Sequence, residues 1–482
     1  MPSTHVRAVC LVLLLLAPLS FVHAQSISLG MRVPMREFMW QDGKSAGEMK
    51  LDDKQRLVWQ FQAANLDQMR AWGGEWNIVI ARQWRDGPDG FARLRRILAE
   101  HERRGVQVVL RLLEEPSVYG RMQATQSAEY GHDQAYYQWV QSVVRACDGK
   151  VRDFLIGNEA DVDLTRSHGG APDLSWPMLV DYDQYARLLR TAVKAIKALD
   201  PGLQVANSGF SDNSVALAMV QDLYDRAGLV PAQSYWESWK DRAGVRAEGW
   251  VGLYRLLRQP ETRRKIEFVR RALREPEGSD LFQLHYYRNW QGLQPMLDWL
   301  RDEMRSAGVL RPIIAAEVGY HVRPLSRRDS DGKTRKFIDW RYYSEQDHAN
   351  DMVRVFATLL GNGVERALYW NMRDVDDNGT VVRLFPATTD PQRFEANRVN
   401  RAFRMLSRTL GGAHPAPARV PARAGLREFR FTGPTDVSLL WSEFGELDGM
   451  LDGARELRDI EGKLLRRSDI GAGYTDPLYV FW

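Results

Sequence analysis

Eight short apolar runs recur along the chain, at residues 27–32, 76–82, 106–112, 151–157, 203–207, 281–286, 312–317 and 366–371. Each is short for a helix and bounded by turn signals, so each reads as a strand buried on both faces. Between them lie segments with apolar residues at helical spacing, among them 54–72, 91–104, 134–147, 182–199, 293–307, 344–360 and 398–410. Strand–helix alternation sustained eight times predicts an α/β fold in which a parallel sheet closes into a (β/α)8 TIM barrel. A nucleotide-binding open sheet is disfavoured, because no Gly-x-Gly-x-x-Gly follows the first strand and no Walker-type loop occurs.

Two regions break the alternation. The chain from Asn207 to Leu281 is longer than one crossover helix needs, and about 212–278 reads as a helical insertion carrying Trp236, Trp239 and Trp250. In a barrel such an insertion would follow a strand end and build a wall of the cleft, or else buttress it. Beyond Gly411-Gly412 comes a Pro-rich connection at 414–421, then short strand signals at 426–431, 437–441, 464–467 and 478–482. Residues 413–482 therefore read as a small all-β domain after a catalytic barrel at 25–412.

The first 24 residues have the form of a secretory signal: Arg7, an apolar stretch from Ala8 to Val22, and Val22-His23-Ala24 as a small-residue cleavage site. The expected location is secreted or periplasmic, with no membrane span once the signal is removed. Cleavage takes Cys10 with it, so the mature chain keeps only Cys147, which reads as a buried small hydrophobe rather than half of a disulfide. Formal net charge is +4 for the whole sequence, with Arg scattered along helices, and this gives no case for a nucleic-acid partner. A monomer is expected. With nine His, no His-Glu-x-x-His and no His/Cys cluster, neither a catalytic metal nor another cofactor is expected.

In a (β/α)8 barrel, catalytic groups sit at the C-terminal ends of the strands. Strand four ends Gly157-Asn158-Glu159 and strand seven ends Ala315-Ala316-Glu317. Two carboxyls converging on one rim are what glycoside hydrolysis requires, one to protonate the leaving oxygen and one to attack the sugar or activate water. Glu159 is the candidate general acid and Glu317 the candidate nucleophile. Asn158 suits the sugar 2-hydroxyl. Strand six ends His285-Tyr286-Tyr287, where a Tyr could donate to the nucleophile. Arg82, ending strand two, could hold Glu317 charged by proximity. Trp370, ending strand eight, could form the floor of the sugar site, since pyranose faces stack on aromatic rings.

This constellation resembles clan A of the retaining glycoside hydrolases across roughly residues 27–410. The resemblance implies an acid/base Glu preceded by Asn after strand four and a nucleophile Glu after strand seven. It also implies an Arg at strand two, a His-x-Tyr at strand six and a Trp at strand eight. Here those positions are Asn158-Glu159, Glu317, Arg82, His285-x-Tyr287 and Trp370. The trailing β-domain looks like members with β-xylosidase or exopolysaccharide-hydrolase architecture. One departure is Ala160, where the common pattern Asn-Glu-Pro has Pro.

The implied activity is that of a glycosidase: hydrolysis of a β-linked poly- or oligosaccharide by double displacement. A barrel that binds carbohydrate without chemistry and a transglycosidase are the alternatives. A basic stretch follows strand seven, with Arg323, Arg327, Arg328, Lys333, Arg335 and Lys336 around a turn at Asp329-Gly332. It reads as solvated surface or as a clamp for an acidic polymer.

Overall fold

The structure is a computed structural model describing residues 26–31, 51–82, 88–113, 134–162, 182–240, 249–319, 324–328, 334–338, 344–370, 397–419, 425–445, 447 and 449–482. The proposed signal segment lies outside them. No described helix is long and apolar enough to cross a membrane.

In chain order the first half runs β1 (Ser28–Met31), α1 (Leu51–Ala71), β2 (Trp76–Arg82), α2 (Pro88–Glu102), β3 (Gln107–Leu113), α3 (Gln134–Cys147), β4 (Val151–Ile156), α4 (Tyr182–Lys197), β5 (Gln204–Ala206) and β6 (Phe210–Ser211). Four helices follow, α5 (Asp212–Ala227), α6 (Leu229–Lys240), α7 (Trp250–Leu257) and α8 (Pro260–Arg274). The barrel is completed by β7 (Phe282–Tyr286), α9 (Leu293–Ser306), β8 (Ile313–Val318), a hairpin of β9 (Pro324–Arg328) and β10 (Thr334–Ile338), α10 (Glu345–Gly361), β11 (Arg366–Tyr369) and α11 (Arg398–Leu410).

The main sheet runs β5-β4-β3-β2-β1-β11-β8-β7-β6, parallel throughout. A parallel bridge from Ala206 to Leu281 joins β5 to the start of β7 and closes the ring. The eight predicted strands thus occupy eight positions, the fifth divided into β5, which pairs with β4, and β6, which pairs with β7. The break spans Asn207-Ser208-Gly209, and Gly209 has φ +76°, a left-handed conformation that glycine adopts without cost.

Side chains alternate along the strands, as the pleat demands. One set, including Ile78, Val109, Leu155, Ile314 and Leu368, fills the barrel interior. The other, including Leu110, Phe154, Val205, Leu284 and Ala315, packs under the helices. Helix starts are capped by the residues expected to do so: Ser344 and Asp347 form a reciprocal box at α10, and Asn397 accepts from the Asn400 amide at α11. Cys147 is buried and unpaired in the packed layer, and its burial pushes the thiol up to about 12.

The insertion divides between two roles. α5 and α8 pack on each other, on α9 and, for α8, on α4, so they belong to the outer helical ring. α6 instead lies against the residues just after β7: Tyr235 donates to the Gly292 carbonyl at 3.2 Å, and Asn289 donates to the Ser238 carbonyl at 3.2 Å. That places α6 on the side of the C-terminal strand ends. Its Trp236 and Trp239 are buried, whereas Trp250 at the start of α7 is exposed.

The C-terminal region forms one antiparallel sheet of β12 (His414–Ala416), β13 (Leu426–Thr432), β14 (Val437–Ser442), β15 (Glu456–Arg458), β16 (Leu464–Leu465) and β17 (Leu478–Phe481). β12 falls in the stretch read as a connection, and β15 was not anticipated. One face of the sheet joins the barrel core through Val437, Leu439, Trp441 and Tyr479. Trp441 meets Trp290 edge-on at 5.3 Å, and Phe429 covers Gly361 so closely that a Cβ there would overlap its ring. The other face has its own cluster, with Leu440, Leu457, Leu478 and Val480.

Candidate active site

The apolar strands converge at one rim on four polar side chains, Arg111, Glu159, His285 and Glu317. Arg111 interrupts the run Val108-Val109-Leu110-Arg111-Leu112 in β3, on the interior side with Val109. Its side chain is fully buried. A buried guanidinium must find a carboxylate or lose its solvation uncompensated, and Arg111 finds Glu317: Nη1 donates to Oε1 at 2.6 Å. The guanidinium also lies 5.7 Å from the Trp370 ring centroid.

Glu317 faces the same rim because β8 carries an extra residue. Leu284 pairs with Ala315, yet the next residue His285 pairs with Glu317, and the register on the β11 side shifts over the same stretch. With Ile314 and Ala316 both facing the interior, strict alternation would send Glu317 outward. The bulge re-aims it into the barrel mouth. There its Oε2 accepts from the Tyr287 hydroxyl at 2.7 Å.

Glu159 is presented by a different device. Gly157 has φ +80° and Glu159 has φ +44°, a left-handed conformation that costs a non-glycine residue about 1–2 kcal/mol. The turn is held to the β5–β6 connection: the Glu159 amide donates to the Ser208 carbonyl at 3.0 Å, and the Ala160 amide to Ser208 Oγ at 3.3 Å. Asp161 accepts from the Ser211 amide at 3.1 Å. The tight turn does not depend on the proline that Ala160 replaces.

His285 stands between the acids. Its Nδ1 lies 2.8 Å from Glu159 Oε1 and 3.5 Å from Glu317 Oε2. One oxygen of each carboxylate and a nitrogen of His285 all fall within 4.8 Å of one another. Such a trio could in principle hold a cation, but Glu317 already carries the Arg111 guanidinium at 2.6 Å, and a second cation would meet its repulsion.

The electrostatics separate the groups. Burial alone would raise the Glu317 carboxyl; the charges of His285 and Arg111, with hydrogen bonds from Arg111 and Tyr287, outweigh it and hold Glu317 below its usual value. Tyr287 is pushed well above its usual value by burial, then by Glu317 and Glu159, so it remains a donor. Asp161 is fully buried, and burial first, then Glu159, pushes it up to about 7.

Of the residues singled out in the sequence, Glu159, His285, Tyr287 and Glu317 meet directly, and Trp370 joins them through Arg111. Asn158 is buried beside them, and its Oδ1 has no hydrogen-bond partner among the described residues. Arg111 places a guanidinium on Glu317; Arg82 ends β2, and its side chain lies outside the described residues. Sequence reading missed Arg111 and also Gln283, which sits two residues before His285 on the same face of β7. Their signal is polar residues at interior positions of largely apolar strands, Arg111 in β3 and Gln283 with His285 in β7.

The fold has relatives among solved structures. A family 39 glycoside hydrolase from the gut symbiont Bacteroides cellulosilyticus WH2 is similar with a TM-score of 0.52 at 10% identity, covering 95% of this chain and 81% of that one. A glucosidase from Croceicoccus marinus gives 0.49 at 12% identity, with 93% and 82% covered. A monomeric β-xylosidase from Caulobacter crescentus CB15 gives 0.46 at 14%, with 80% and 70% covered. No family model and no curated protein matches the sequence. At these identities the likeness concerns the fold alone, which is similar to that of the family 39 glycoside hydrolase.

Proposed function

We propose that the protein is a retaining glycoside hydrolase acting on a β-linked poly- or oligosaccharide. The observation that carries this reading is the pair of Glu159 and Glu317, with an oxygen of each within 4.8 Å. Retaining enzymes keep their carboxyls ~5–5.5 Å apart, whereas inverting enzymes leave ~6.5–9.5 Å for a water. The partners also differ in the required sense. Glu317 is the acid with two permanent donors, Arg111 and Tyr287, which suits an ionised nucleophile.

In this mechanism Glu317 attacks the anomeric carbon while Glu159 gives its proton to the departing glycosidic oxygen. The ester on Glu317 removes that negative charge from beside Glu159, which favours Glu159 as a base. It then takes a proton from water as the water attacks the ester. The unpartnered Asn158 Oδ1 suits the sugar 2-hydroxyl, and Trp370 suits the floor beneath the ring. Secretion to the periplasm or beyond fits a polymer substrate.

A finer reading concerns charge on that polymer. In the β9–β10 hairpin, which follows the nucleophile strand, Arg327 is directly opposite Arg335. The hairpin sequence carries Arg327, Arg328, Arg335 and Lys336, and a uronic-acid carboxylate would suit so basic a stretch.

The test is inactivation by a panel of 2,4-dinitrophenyl 2-deoxy-2-fluoro-β-glycosides, followed by peptide mapping. One sugar per chain on the peptide containing Glu317 is expected. A catalytically active protein that is never labelled, or is labelled elsewhere, overturns the assignment.

A further inference from the structure

Gln283 lies two residues before His285 in β7, so both face the barrel interior. Its amide satisfies its surroundings in one orientation: Oε1 accepts from Arg111 Nη2 at 3.2 Å and from His285 Nε2 at 2.9 Å, and its NH2 donates to the Asn207 carbonyl at 2.9 Å. Asn207 is held in turn, because its Oδ1 accepts from the Gln283 backbone amide at 2.7 Å. Gly209 closes the arrangement from behind. A Cβ there would overlap His285 Nε2 and lie 2.8 Å from Gln283 Cδ. An amide anchored at three points, in a gap that excludes even a methyl group, has little freedom to turn over.

An Oε1 facing His285 Nε2 demands a hydrogen on that nitrogen. In neutral imidazole the other nitrogen, Nδ1, is then a lone pair, and it points at Glu159 Oε1 at 2.8 Å. A carboxylate facing a lone pair at that distance is repelled, so the contact needs a proton between the two atoms. We propose that Gln283 is a positioning residue that fixes His285 as the Nε2–H tautomer. The Glu159–His285 bridge thereby holds the proton that passes to the leaving group.

The charges around the bridge agree. Arg111 from β3 and Glu317 from β8 neutralise each other, Tyr287 is a neutral donor to Glu317, and Asp161 is buried beyond Glu159. The bridge proton faces the Glu317 carboxylate, with Nδ1 at 3.5 Å from Oε2, which favours its retention. In the first step the proton leaves the bridge for the glycosidic oxygen as the bond to the anomeric carbon breaks. In the second, the attacking water returns one. This role rests on the proposed acid function of Glu159.

The direct test is the tautomer itself. In full-length protein with 15N-labelled histidine, two-bond 1H–15N correlations report which ring nitrogens carry hydrogen, with the His285 signals assigned by their loss in His285→Asn. Between roughly pH 5 and pH 9, where histidines change charge, Nε2 of His285 should stay protonated and any titration should appear at Nδ1. A neutral His285 with hydrogen on Nδ1 and none on Nε2 would mean that Arg111 donates to Nε2 instead, and overturns the proposal.

The kinetic test uses Gln283→Leu, which frees the ring to turn its N–H toward Glu159 and so favours an ionised Glu159. The basic limb of kcat/KM on methyl β-glycosides should fall by about one pH unit, the worth of one buried hydrogen bond. Turnover of 2,4-dinitrophenyl β-glycosides of the same sugar, which need no proton, should hold. An unmoved basic limb in a folded variant contradicts the assignment. If the wild type turns over no glycoside, the proposed function fails, while the NMR result still decides the tautomer.

Discussion

The two mouths of the barrel use the same device to opposite ends. At the N-terminal mouth, Arg366 pairs with Asp153 at 2.7 Å and lies 4.3 Å from the Trp76 ring. At the C-terminal mouth, Arg111 pairs with Glu317 at 2.6 Å and lies 5.7 Å from the Trp370 ring. All four ionic side chains are largely buried: 13% exposed for Arg366, 4% for Asp153, none for Arg111 and 6% for Glu317. The lower pair borders a cavity of about 920 Å³ lined by strand starts, including Ser28, Gln107, Arg152 and Gln204. A buried Arg–carboxylate pair beside a tryptophan is therefore no sign of chemistry in this molecule. What distinguishes the upper mouth is a second acid, brought beside the first by the bulge in β8 and the left-handed turn at Glu159, with His285 between them.

The sharpest way to break this contrast is to remove one carboxylate from each end. Glu317→Ala should lower kcat on the order of 10⁴-fold or more, as loss of a covalent nucleophile does. Azide should restore cleavage of activated glycosides with inverted product. Asp153→Ala should leave kcat of the folded fraction unchanged. Wild-type turnover by Glu317→Gln would remove the distinction altogether.

The arginines give the next largest effect. Arg111→Met and Arg366→Met each strand a buried carboxylate, and each should lose about 3–5 kcal/mol in denaturant unfolding. Only Arg111→Met should also change the pH–rate profile. Glu317 is depressed in the folded protein, so its stabilising contribution is present above its unfolded value and lost as pH falls through the folded one. Without Arg111, burial is less opposed, the carboxyl rises, and the acid limb of kcat/KM moves to higher pH. Equal shifts in both variants, or none, would show that the upper pair is merely structural.

Asp161 titrates in the opposite sense. Its folded value is raised to about 7, so the stability it contributes is complete below its unfolded value near ~3.9 and is lost as pH rises through 7. The wild type should therefore lose Tm between pH 5 and pH 8, and Asp161→Asn should flatten that decline. An identical decline in both proteins would place the responsible group elsewhere.

Much of this was legible in the strand ends. The eight apolar runs fix the barrel, and helices such as α10 and α11 fall within a residue of their predicted bounds because caps and periodicity agree. Glu159 and Glu317 stand out because each ends an apolar run. The bulge left no mark: Pro312-Ile313-Ile314-Ala315-Ala316-Glu317 reads as an unbroken strand, and only pairing on both sides shows the extra residue. The break at Asn207-Ser208-Gly209 was hidden for a related reason. It is set by the approach of His285 and Gln283 from β7, a contact between residues more than seventy positions apart. Arg111 carries no strand-end signal, because it acts from within β3.

The smallest expected effect lies on the β9–β10 hairpin. Replacing Arg327, Arg328, Arg335 and Lys336 by Ser should raise KM about tenfold on a uronic-acid polymer at low salt, an ion pair at a protein surface being worth on the order of 0.2–1 kcal/mol. The difference should shrink as salt rises. Equal KM for both proteins on charged chains would point to a neutral glycan.

The central claim is that Glu159 and Glu317 work as a retaining pair at the upper mouth. Its most direct measurement is the configuration of the first-formed product, followed by 1H NMR before mutarotation, with whichever β-glycoside the wild type cleaves. Release of the β-anomer is the expected result. Release of the α-anomer would mean that water attacks directly, and would contradict the account.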